Sequence, residues 1–214
     1  MSRTSSTPDT VGLLLAAGGG RRLGGRPKAL LPYRGRPLVE HAVRVLREGG
    51  CGRVHVVLGA SAEEVRARAR LADCVLVENP DWADGMGSSL RVGLNSLAQH
   101  GSYRSALVSL VDQPGIGAAA VARVLAAAGT GFAAASYDGR RGHPVLLGAE
   151  RWAGIARTAE GDRGARAYLK EHADELTLVE CGDVAEAYDI DLPEDLARLE
   201  DGGGAPGPAA GGAE

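Results

Sequence analysis

The sequence predicts an α/β fold with a doubly wound, mainly parallel sheet. Five short apolar runs rich in branched residues alternate with longer segments of helical period. The runs are apolar on both faces, as expected of strands that helices cover on each side. They are residues 11–17, 54–58, 74–77, 106–111 and 132–136. Ligands of such sheets bind beyond the carboxyl ends of the strands, so the residues after each run are candidates for a site.

Four segments between and after these runs have a helical period. They are residues 37–47, 62–70, 88–99 and 118–127. In the first of them Leu38, Ala42 and Val45 fall on one helical face, which is typical of a helix packed on a sheet. Leu90, Leu94 and Leu97 do the same in the third segment.

The segment 138–147 interrupts the pattern. Its Gly139, Gly142 and Pro144 predict a small β excursion or a hairpin rather than a helix. Two late short strands are predicted at 176–180 and 187–190. A last helix is predicted at 193–199, because its proline is followed by acidic residues, which suits a helix N-terminus.

The length and composition are those of one globular domain, which we place at residues 11–200. The chain has 214 residues, of which 44% are hydrophobic and 24% charged. Residues 1–10 are polar and are predicted to form a flexible N-terminus. The tail 201–214 is mostly glycine, alanine and proline, and it is predicted to be disordered because it cannot bury apolar surface.

Charge and cysteine content exclude several classes of partner. The net charge of −3 gives no reason to expect nucleic acid or an anionic membrane as a partner. No apolar run approaches the ~20 residues that span a bilayer, and the N-terminus lacks the apolar core of a signal peptide. The three cysteines are scattered and show no metal-ligand spacing. We therefore expect a cytoplasmic protein with reduced thiols.

A glycine-rich loop with several cations follows the first predicted strand. Glycines allow the backbone to approach a ligand closely, and consecutive N–H groups can hold phosphates. Lysine occurs only at Lys28 and Lys170, so a lysine within this loop is informative. The cations of the loop are Arg21, Arg22, Arg26 and Lys28. Phosphate binding is the favoured interpretation, and a flexible turn with solvated arginines is the alternative.

This loop matches neither of the two common phosphate-binding motifs. Arg26 and Pro27 stand where a P-loop requires lysine and then serine or threonine. Leu23 stands where the dinucleotide fingerprint requires its third glycine. The phosphate-binding hypothesis therefore depends on the strand context and the cation density.

Three aspartates follow predicted strands and are candidates for a metal site. Asp112 ends an apolar run that Pro114 prevents from continuing. Asp189 and Asp191 are two apart on a predicted strand, so their side chains would share a face. Mg²⁺ prefers few carboxylates together with phosphate oxygens. Helix capping is the alternative for Asp112 and Asp191, and we favour Asp112 with Asp189 as the metal pair.

The stretch 15–28, LAAGGGRRLGGRPK, resembles the LAAGxGxRMGxxK motif of the nucleotidyltransferases that share the molybdenum cofactor and sugar-nucleotide fold. Residues 110–114 resemble the DQP motif of that family, and residues 189–195 resemble its DIDTPED motif. Leu23 replaces the usual methionine, and Leu192 replaces the usual threonine. The resemblance implies a Rossmann-like nucleotidyltransferase fold.

The resemblance also implies roles for individual residues. It places Lys28 on the α-phosphate, Arg22 on the triphosphate, and Mg²⁺ on Asp112 with Asp189 or Asp191. Arg22, Lys28 and Asp112 are then the catalytic residues. The residues that would hold the triphosphate are Leu15, Ala16, Ala17, Gly18, Gly19, Gly20, Arg21 and Arg22.

Residues 79–90 resemble the NPxxxxGxxSSL segment of the molybdenum cofactor cytidylyltransferases. This resemblance implies that the base is read near Asn79, Gly85 and Ser88, with Gly59 beside it. Capping of a helix is the alternative for Ser88. The Leu-Ala-Ala-Gly form of the first loop resembles the cytidylyl branch of the family rather than the guanylyl branch.

Residues 140–145 resemble the RGHPV motif on the acceptor side of the family, and residues 160–166 resemble its GDxGAR motif. Arg140, Arg141 and His143 would then meet an anionic acceptor by charge and hydrogen bonds. A structural role is the alternative for His143.

The predicted function is transfer of CMP from CTP to the terminal phosphate of molybdopterin, with release of pyrophosphate and with Mg²⁺ as cofactor. The resemblance further implies handover of the product to a molybdoenzyme. Three alternatives stay open: guanylyl transfer to the same cofactor, nucleotidyl transfer to a sugar or alcohol phosphate, and a non-catalytic nucleotide-binding cofactor chaperone.

Overall fold

The computed structural model describes residues 10–100 and 103–200. The predictions for residues 1–9 and for the tail 201–214 lie outside the described residues. The first strand begins at Thr10, one residue before the predicted start of the domain. Within the described ranges no helix is both long and apolar enough to cross a membrane.

One seven-stranded sheet forms the centre of the fold, and two very short strands form a separate hairpin. The order in the large sheet is β5-β4-β1-β6-β8-β7-β9. The strands are β1 (Thr10–Ala16), β2 (Pro32–Tyr33), β3 (Arg36–Pro37), β4 (Val54–Leu58), β5 (Val75–Glu78), β6 (Ser105–Leu110), β7 (Phe132–Tyr137), β8 (Arg140–Gly148) and β9 (Thr177–Glu180). Only the pairs β6–β8 and β7–β8 of this sheet are antiparallel. The predicted doubly wound, mainly parallel sheet is confirmed.

Helices cover both faces of the sheet, as the continuous apolar strands predict. The helices are α1 (Leu38–Glu48), α2 (Ala62–Arg68), α3 (Met86–His100), α4 (Ala118–Ala126), α5 (Ala149–Thr158), α6 (Arg166–Glu171) and α7 (Ala197–Glu200). Along β1, Leu14 packs into the core cluster that contains apolar residues of α1, α2 and α4. Leu13 packs into the cluster that contains those of α3, α5 and α6.

The interruption predicted at 138–147 is a hairpin. A two-residue turn at Asp138 and Gly139 joins β7 to β8, and both turn residues have positive φ. The strand β8 then enters the sheet between β6 and β7, which makes this half of the sheet mixed.

One predicted strand does not form. Residues 187–190 have no regular secondary structure, and the Ile190 N–H donates to the Asp112 carbonyl at 2.9 Å. Asp112 already lies beyond the end of β6, so this bond does not extend into the ladder that defines a strand. The last predicted helix is a 3₁₀ turn at Pro193–Leu196 followed by α7.

Candidate functional site

The glycine-rich loop after β1 is folded tightly on itself. Gly20 has φ of +59°, and a β-carbon there would lie 1.9 Å from the Arg26 carbonyl oxygen. The N–H groups of Leu23 and Gly25 both donate to the Gly20 carbonyl. A β-carbon at Gly18 would meet nothing within 4 Å. Gly20 is therefore required by the fold, while Gly18 presents open backbone on the side where a ligand can approach.

Lys28 follows this loop and lies between two carboxylates. Its Nζ donates to Oδ2 of Asp112 at 2.6 Å and to Oδ1 of Asp191. Burial alone would lower the pKa of Lys28, but Asp112 and then Asp191 outweigh that effect and raise the pKa. The ammonium is thus fixed and charged at neutral pH, and the structure brings three of the predicted site residues into direct contact.

Arg22 lies at the outer side of the same cluster. Its guanidinium is 3.8 Å from Oδ2 of Asp191, and its side chain is 73% exposed, against 13% for Lys28. Lys28 is held in place, whereas Arg22 keeps the freedom to move onto a phosphate.

Asp112 stands just beyond the end of β6, as predicted. Burial raises the pKa of its carboxyl; the Lys28 ammonium partly offsets this effect, and the nearby Asp189 adds to it. Gln113 was not predicted as a site residue, yet its Nε2 donates to Oδ1 of Asp189 at 2.8 Å. Its position directly after Asp112, at the end of a strand, is the signal that could have identified it.

Asp189 and Asp191 do not lie on a strand, contrary to the prediction, because residues 187–190 form none. Both still line the loop end of the sheet, where Asp189 contacts Gln113 and Asp191 contacts Lys28. Across the described residues there is no group of three or more His, Cys, Asp or Glu side chains that would enclose a metal. Asp112 and Asp189 line one cleft, and the charge of Asp189 helps to raise the pKa of Asp112.

Two carboxylates on an open cleft suit Mg²⁺. This ion keeps several water or phosphate ligands and is held by one or two carboxylates rather than by an all-protein cage. Asp112 and Asp189 provide such a donor set, and their mutual repulsion would be relieved by a cation. The residues present therefore fit the metal that the sequence predicts.

Two adjoining clefts open at this end of the sheet. The smaller, here called the loop cleft, has a volume of about 520 Å³. It is lined by the glycine-rich loop and the charged cluster, including Gly18, Gly19, Gly20, Arg21, Arg22, Lys28, Trp82, Gly85, Ser89, Asp112, Asp189 and Asp191. Its lining joins cationic groups, open backbone and carboxylates, which is what a magnesium triphosphate requires.

The larger cleft, here called the hairpin cleft, has a volume of about 770 Å³. Four arginines line it together with His143 and an apolar wall; the arginines are Arg140, Arg141, Arg163 and Arg166. Leu15, Met86, Leu110, Asp162 and Asp189 line both clefts. A ligand in the hairpin cleft can therefore reach a ligand in the loop cleft past Asp189.

His143 is a neutral side chain of the hairpin cleft. Burial, with Arg141 and Arg166 adding to it, lowers the pKa of His143 to about 4. The Tyr137 hydroxyl donates to the His143 carbonyl at 2.7 Å, which ties the residue to the opposite strand of the hairpin. His143 can therefore offer a hydrogen bond to a ligand but no charge at neutral pH.

Some residues predicted to read the base lie behind the cleft rather than in it. Asn79 is fully buried, and its Nδ2 donates to the hydroxyls of Ser88 and Ser89, at 2.9 and 3.0 Å. The Ser88 hydroxyl is 2.8 Å from the Gly85 carbonyl oxygen. These polar groups are used to hold the turn before α3, and Ser89 is the serine that lines the loop cleft.

Gly59 and Ala16 also lie outside the lining of the clefts. A β-carbon at Gly59 would be 2.4 Å from Cβ of Trp82, so Gly59 allows Trp82 to pack against the loop. Ala16 is buried in the core below the loop. Trp82 was not predicted as a site residue. A β-carbon at Gly19 would lie 3.1 Å from its indole, and the Arg21 guanidinium lies over the ring, 5.8 Å from the ring centroid.

Comparison with known proteins gives a family match and a long relative. A family model described as the MobA-like NTP transferase domain matches residues 12–176. The nicotine blue oxidoreductase of Paenarthrobacter nicotinovorans is 44% identical over 200 residues, which cover 90% of this chain and 97% of that protein.

Solved structures share the whole fold. Rv0371c from Mycobacterium tuberculosis H37Rv superposes with a TM-score of 0.79 at 27% identity, covering 92% of this chain and 100% of that chain. A structure of Rv0371c in complex with manganese superposes with a TM-score of 0.74 at 27% identity, covering 90% and 98%. A protein of similar structure thus holds a divalent cation.

Proposed function

This chain belongs to the MobA-like NTP transferase family, and from that premise we propose that it transfers CMP from CTP to the terminal phosphate of molybdopterin. The observation that carries the proposal is the junction of two clefts. A carboxylate- and cation-lined loop cleft meets a larger arginine-lined cleft at Asp189. A group transfer between two anionic substrates needs such an arrangement.

The loop cleft supports binding of a nucleoside triphosphate. Open backbone at Gly18 faces the cleft, and Arg21, Arg22 and Lys28 supply positive charge around it. The motif of the loop resembles the cytidylyl branch of the family, and this favours CTP over GTP. Asp112 and Asp189 would hold the metal, which when bound would neutralise charge on the triphosphate oxygens.

The hairpin cleft supports binding of a large anionic acceptor. Its four arginines match phosphate groups, and its apolar wall of Leu90, Val108 and Leu147 matches a flat heterocycle. Because His143 is neutral, it would contribute a hydrogen bond rather than charge.

The reaction proposed is an in-line displacement at phosphorus. A terminal phosphate oxygen of the acceptor attacks the α-phosphorus of CTP, the bond to the β-phosphate oxygen breaks, and pyrophosphate leaves with the negative charge. A phosphate dianion is already a nucleophile at neutral pH, so no general base is required. Lys28 and Arg22 stabilise the charge that develops on the α-phosphate and the leaving group.

The direct test is pyrophosphate release by the purified chain with CTP, Mg²⁺ and molybdopterin. We expect release that requires all three, with a cytidylylated pterin detected by mass spectrometry. GTP in place of CTP tests the guanylyl alternative, and glucose 1-phosphate in place of the pterin tests the sugar phosphate alternative. Absence of pyrophosphate release with every combination would contradict the proposal.

A second candidate function comes from the long relative. That protein is named as an oxidoreductase that acts on nicotine blue, although it shares nearly its whole length with this chain. The apolar wall of the hairpin cleft also suits an uncharged organic substrate. Reduction of nicotine blue by a reduced nicotinamide dinucleotide, followed by absorbance, tests this candidate, and binding of CTP without turnover in either assay would favour the chaperone alternative.

A further inference from the structure

We propose that Glu180 is a positioning residue for the acceptor, because its carboxylate fixes the β7–β8 turn. Arg140 and Arg141, two of the four arginines of the hairpin cleft, directly follow this turn. This inference rests on the proposed function, in which the hairpin cleft takes the anionic acceptor. Glu180 ends β9, the edge strand beside β7, and it does not line either cleft.

Four groups donate to the Glu180 carboxylate. The Ser136 hydroxyl donates to Oε2 at 2.7 Å, and the Gly182 N–H donates to Oε1 at 3.0 Å. The N–H groups of the two turn residues also donate to it, Asp138 at 3.2 Å and Gly139 at 3.4 Å. One side chain therefore joins β7, the turn and the segment after β9.

The backbone N–H groups of the turn need a hydrogen-bond acceptor from outside the turn. Asp138 and Gly139 have φ of 51° and 73°, as in a type I′ hairpin turn, and Tyr137 pairs with Arg140 across it. The N–H groups of the two central residues have no partner within such a turn and point to one side. A carboxylate at that side satisfies both of them and holds the turn in one orientation.

The position of the turn determines the position of the cleft residues. Arg140 and Arg141 follow the turn directly as the first residues of β8, and His143 is tied back to Tyr137 through its carbonyl. The pairing of β7 with β8 shifts register between Ala134 and Ser136, so the ladder near the turn is weaker than a regular one. Glu180 supplies the restraint that this irregular ladder lacks.

The test compares Glu180→Gln and Glu180→Ala with a matched control, Glu78→Gln, all in the full chain. Glu78 ends β5 on the opposite edge of the sheet and pairs with Arg66 at 2.8 Å, away from both clefts. Hydrogen exchange of the amides in 138–142 should be faster by about tenfold in Glu180→Ala and less so in Glu180→Gln. Binding of phenyl phosphate, an aromatic phosphate monoester, should weaken by about fivefold, while the Kd for CTP stays unchanged.

With molybdopterin as acceptor, its KM should rise by a similar factor, with kcat and the KM for CTP close to those of the control. The inference is overturned when exchange at 138–142 and phenyl phosphate binding in both Glu180 variants equal those of Glu78→Gln. If both readouts change but no variant and no wild-type chain releases pyrophosphate from CTP, the positioning role stands and the proposed function fails. Should Glu180→Ala fold poorly, Glu180→Gln provides the same comparison.

Discussion

The two clefts are built in different ways, although they share a wall. The loop cleft lies at the ends of parallel strands, and its parts are held by close backbone packing and by buried charge. Gly20 is in van der Waals contact with the loop itself, and Lys28 joins Asp112 to Asp191. The hairpin cleft is carried by an antiparallel hairpin whose turn is held by hydrogen bonds to an exposed carboxylate.

This difference determines in which half of the site a substitution costs less stability. In the loop cleft, a substitution of Gly20 disturbs packed backbone, and a substitution of Lys28 or Asp112 leaves a buried charge without its partner; both are costly. A substitution in the hairpin mainly changes where exposed arginines stand. The hairpin cleft is therefore the half of the site whose ligand can change at the smaller cost in stability.

The largest effect should come from the loop cleft, with Asp112→Asn. The change keeps the shape of the side chain and removes the charge that would hold the metal. We expect pyrophosphate release to fall by about 10³-fold, a loss of the size seen when a key electrostatic group of an active site is removed. Asp73→Asn is the control, because Asp73 is exposed and its nearest ion pair, with Arg47, is outside both clefts. Activity near that of the control would show that Asp112 is not part of the site.

A second prediction gives Lys28→Met two opposite effects. The loss of the ammonium should lower kcat by about 10²-fold, because its contact strengthens as charge moves onto the leaving group. The same loss should make Mn²⁺ bind about tenfold more tightly to the nucleotide-free chain, because Lys28 no longer occupies oxygens of Asp112 and Asp191.

Titration of Mn²⁺ by electron paramagnetic resonance measures the second effect. Lys170→Met is the matched control, since Lys170 is the other lysine of the chain and is exposed on α6. Equal or weaker Mn²⁺ binding in Lys28→Met would mean that Asp112 does not bind the cation, and the contrast between the two clefts would lose its electrostatic basis.

Alanine substitutions of two glycines in the glycine-rich loop should have different effects on stability and on CTP binding. Gly20→Ala places a β-carbon on the Arg26 carbonyl at a positive φ, so we expect unfolding free energy to fall by about 1–3 kcal/mol. Gly18→Ala meets no protein atom, so stability should be kept while CTP binding weakens by about tenfold, because the methyl group stands where phosphate approaches.

Chemical denaturation and CTP titration of both variants separate these two outcomes. A Gly18→Ala variant that binds CTP as tightly as the wild type would place the triphosphate elsewhere. The loop cleft would then be a packing feature of the fold rather than the nucleotide site.

The sequence predicted the parallel half of the molecule better than the mixed half. The runs that became β1, β4, β5 and β6 are apolar on both faces, and that pattern depends only on burial between helices. The proximity of Lys28 and Asp112 could also be predicted from the sequence, because both residues follow strands whose ends meet at one edge of the sheet.

The features that the sequence did not predict depend on contacts between segments that are distant in the chain. The periodicity of apolar residues carries no information about such contacts. Residues 187–190 resemble a short strand in sequence, but a single hydrogen bond, from the Ile190 N–H to the Asp112 carbonyl, stands in place of a ladder. Ser88 looks like a residue of a binding turn, yet Asn79 and the Gly85 carbonyl use its hydroxyl internally. Gln113 and Glu180 act through partners 76 and 44 residues away, at Asp189 and Ser136.

The smallest effect should come from replacing His143, because this residue offers a ligand of the hairpin cleft a neutral hydrogen-bonding group rather than a charge. Because the pKa of His143 is lowered to about 4, its ring is uncharged throughout the range from about pH 5.5 upward. His143→Gln keeps a neutral polar side chain but places its N–H and oxygen differently from the ring nitrogens. The acceptor KM should therefore rise by about threefold to fivefold, the value of one misplaced hydrogen bond. The acceptor phosphate itself titrates near pH ~6, and this inflection of kcat/KM should persist in the variant. An inflection that disappears in His143→Gln would show that the imidazole is charged in the working enzyme, and the hairpin cleft would then depend on buried charge as the loop cleft does.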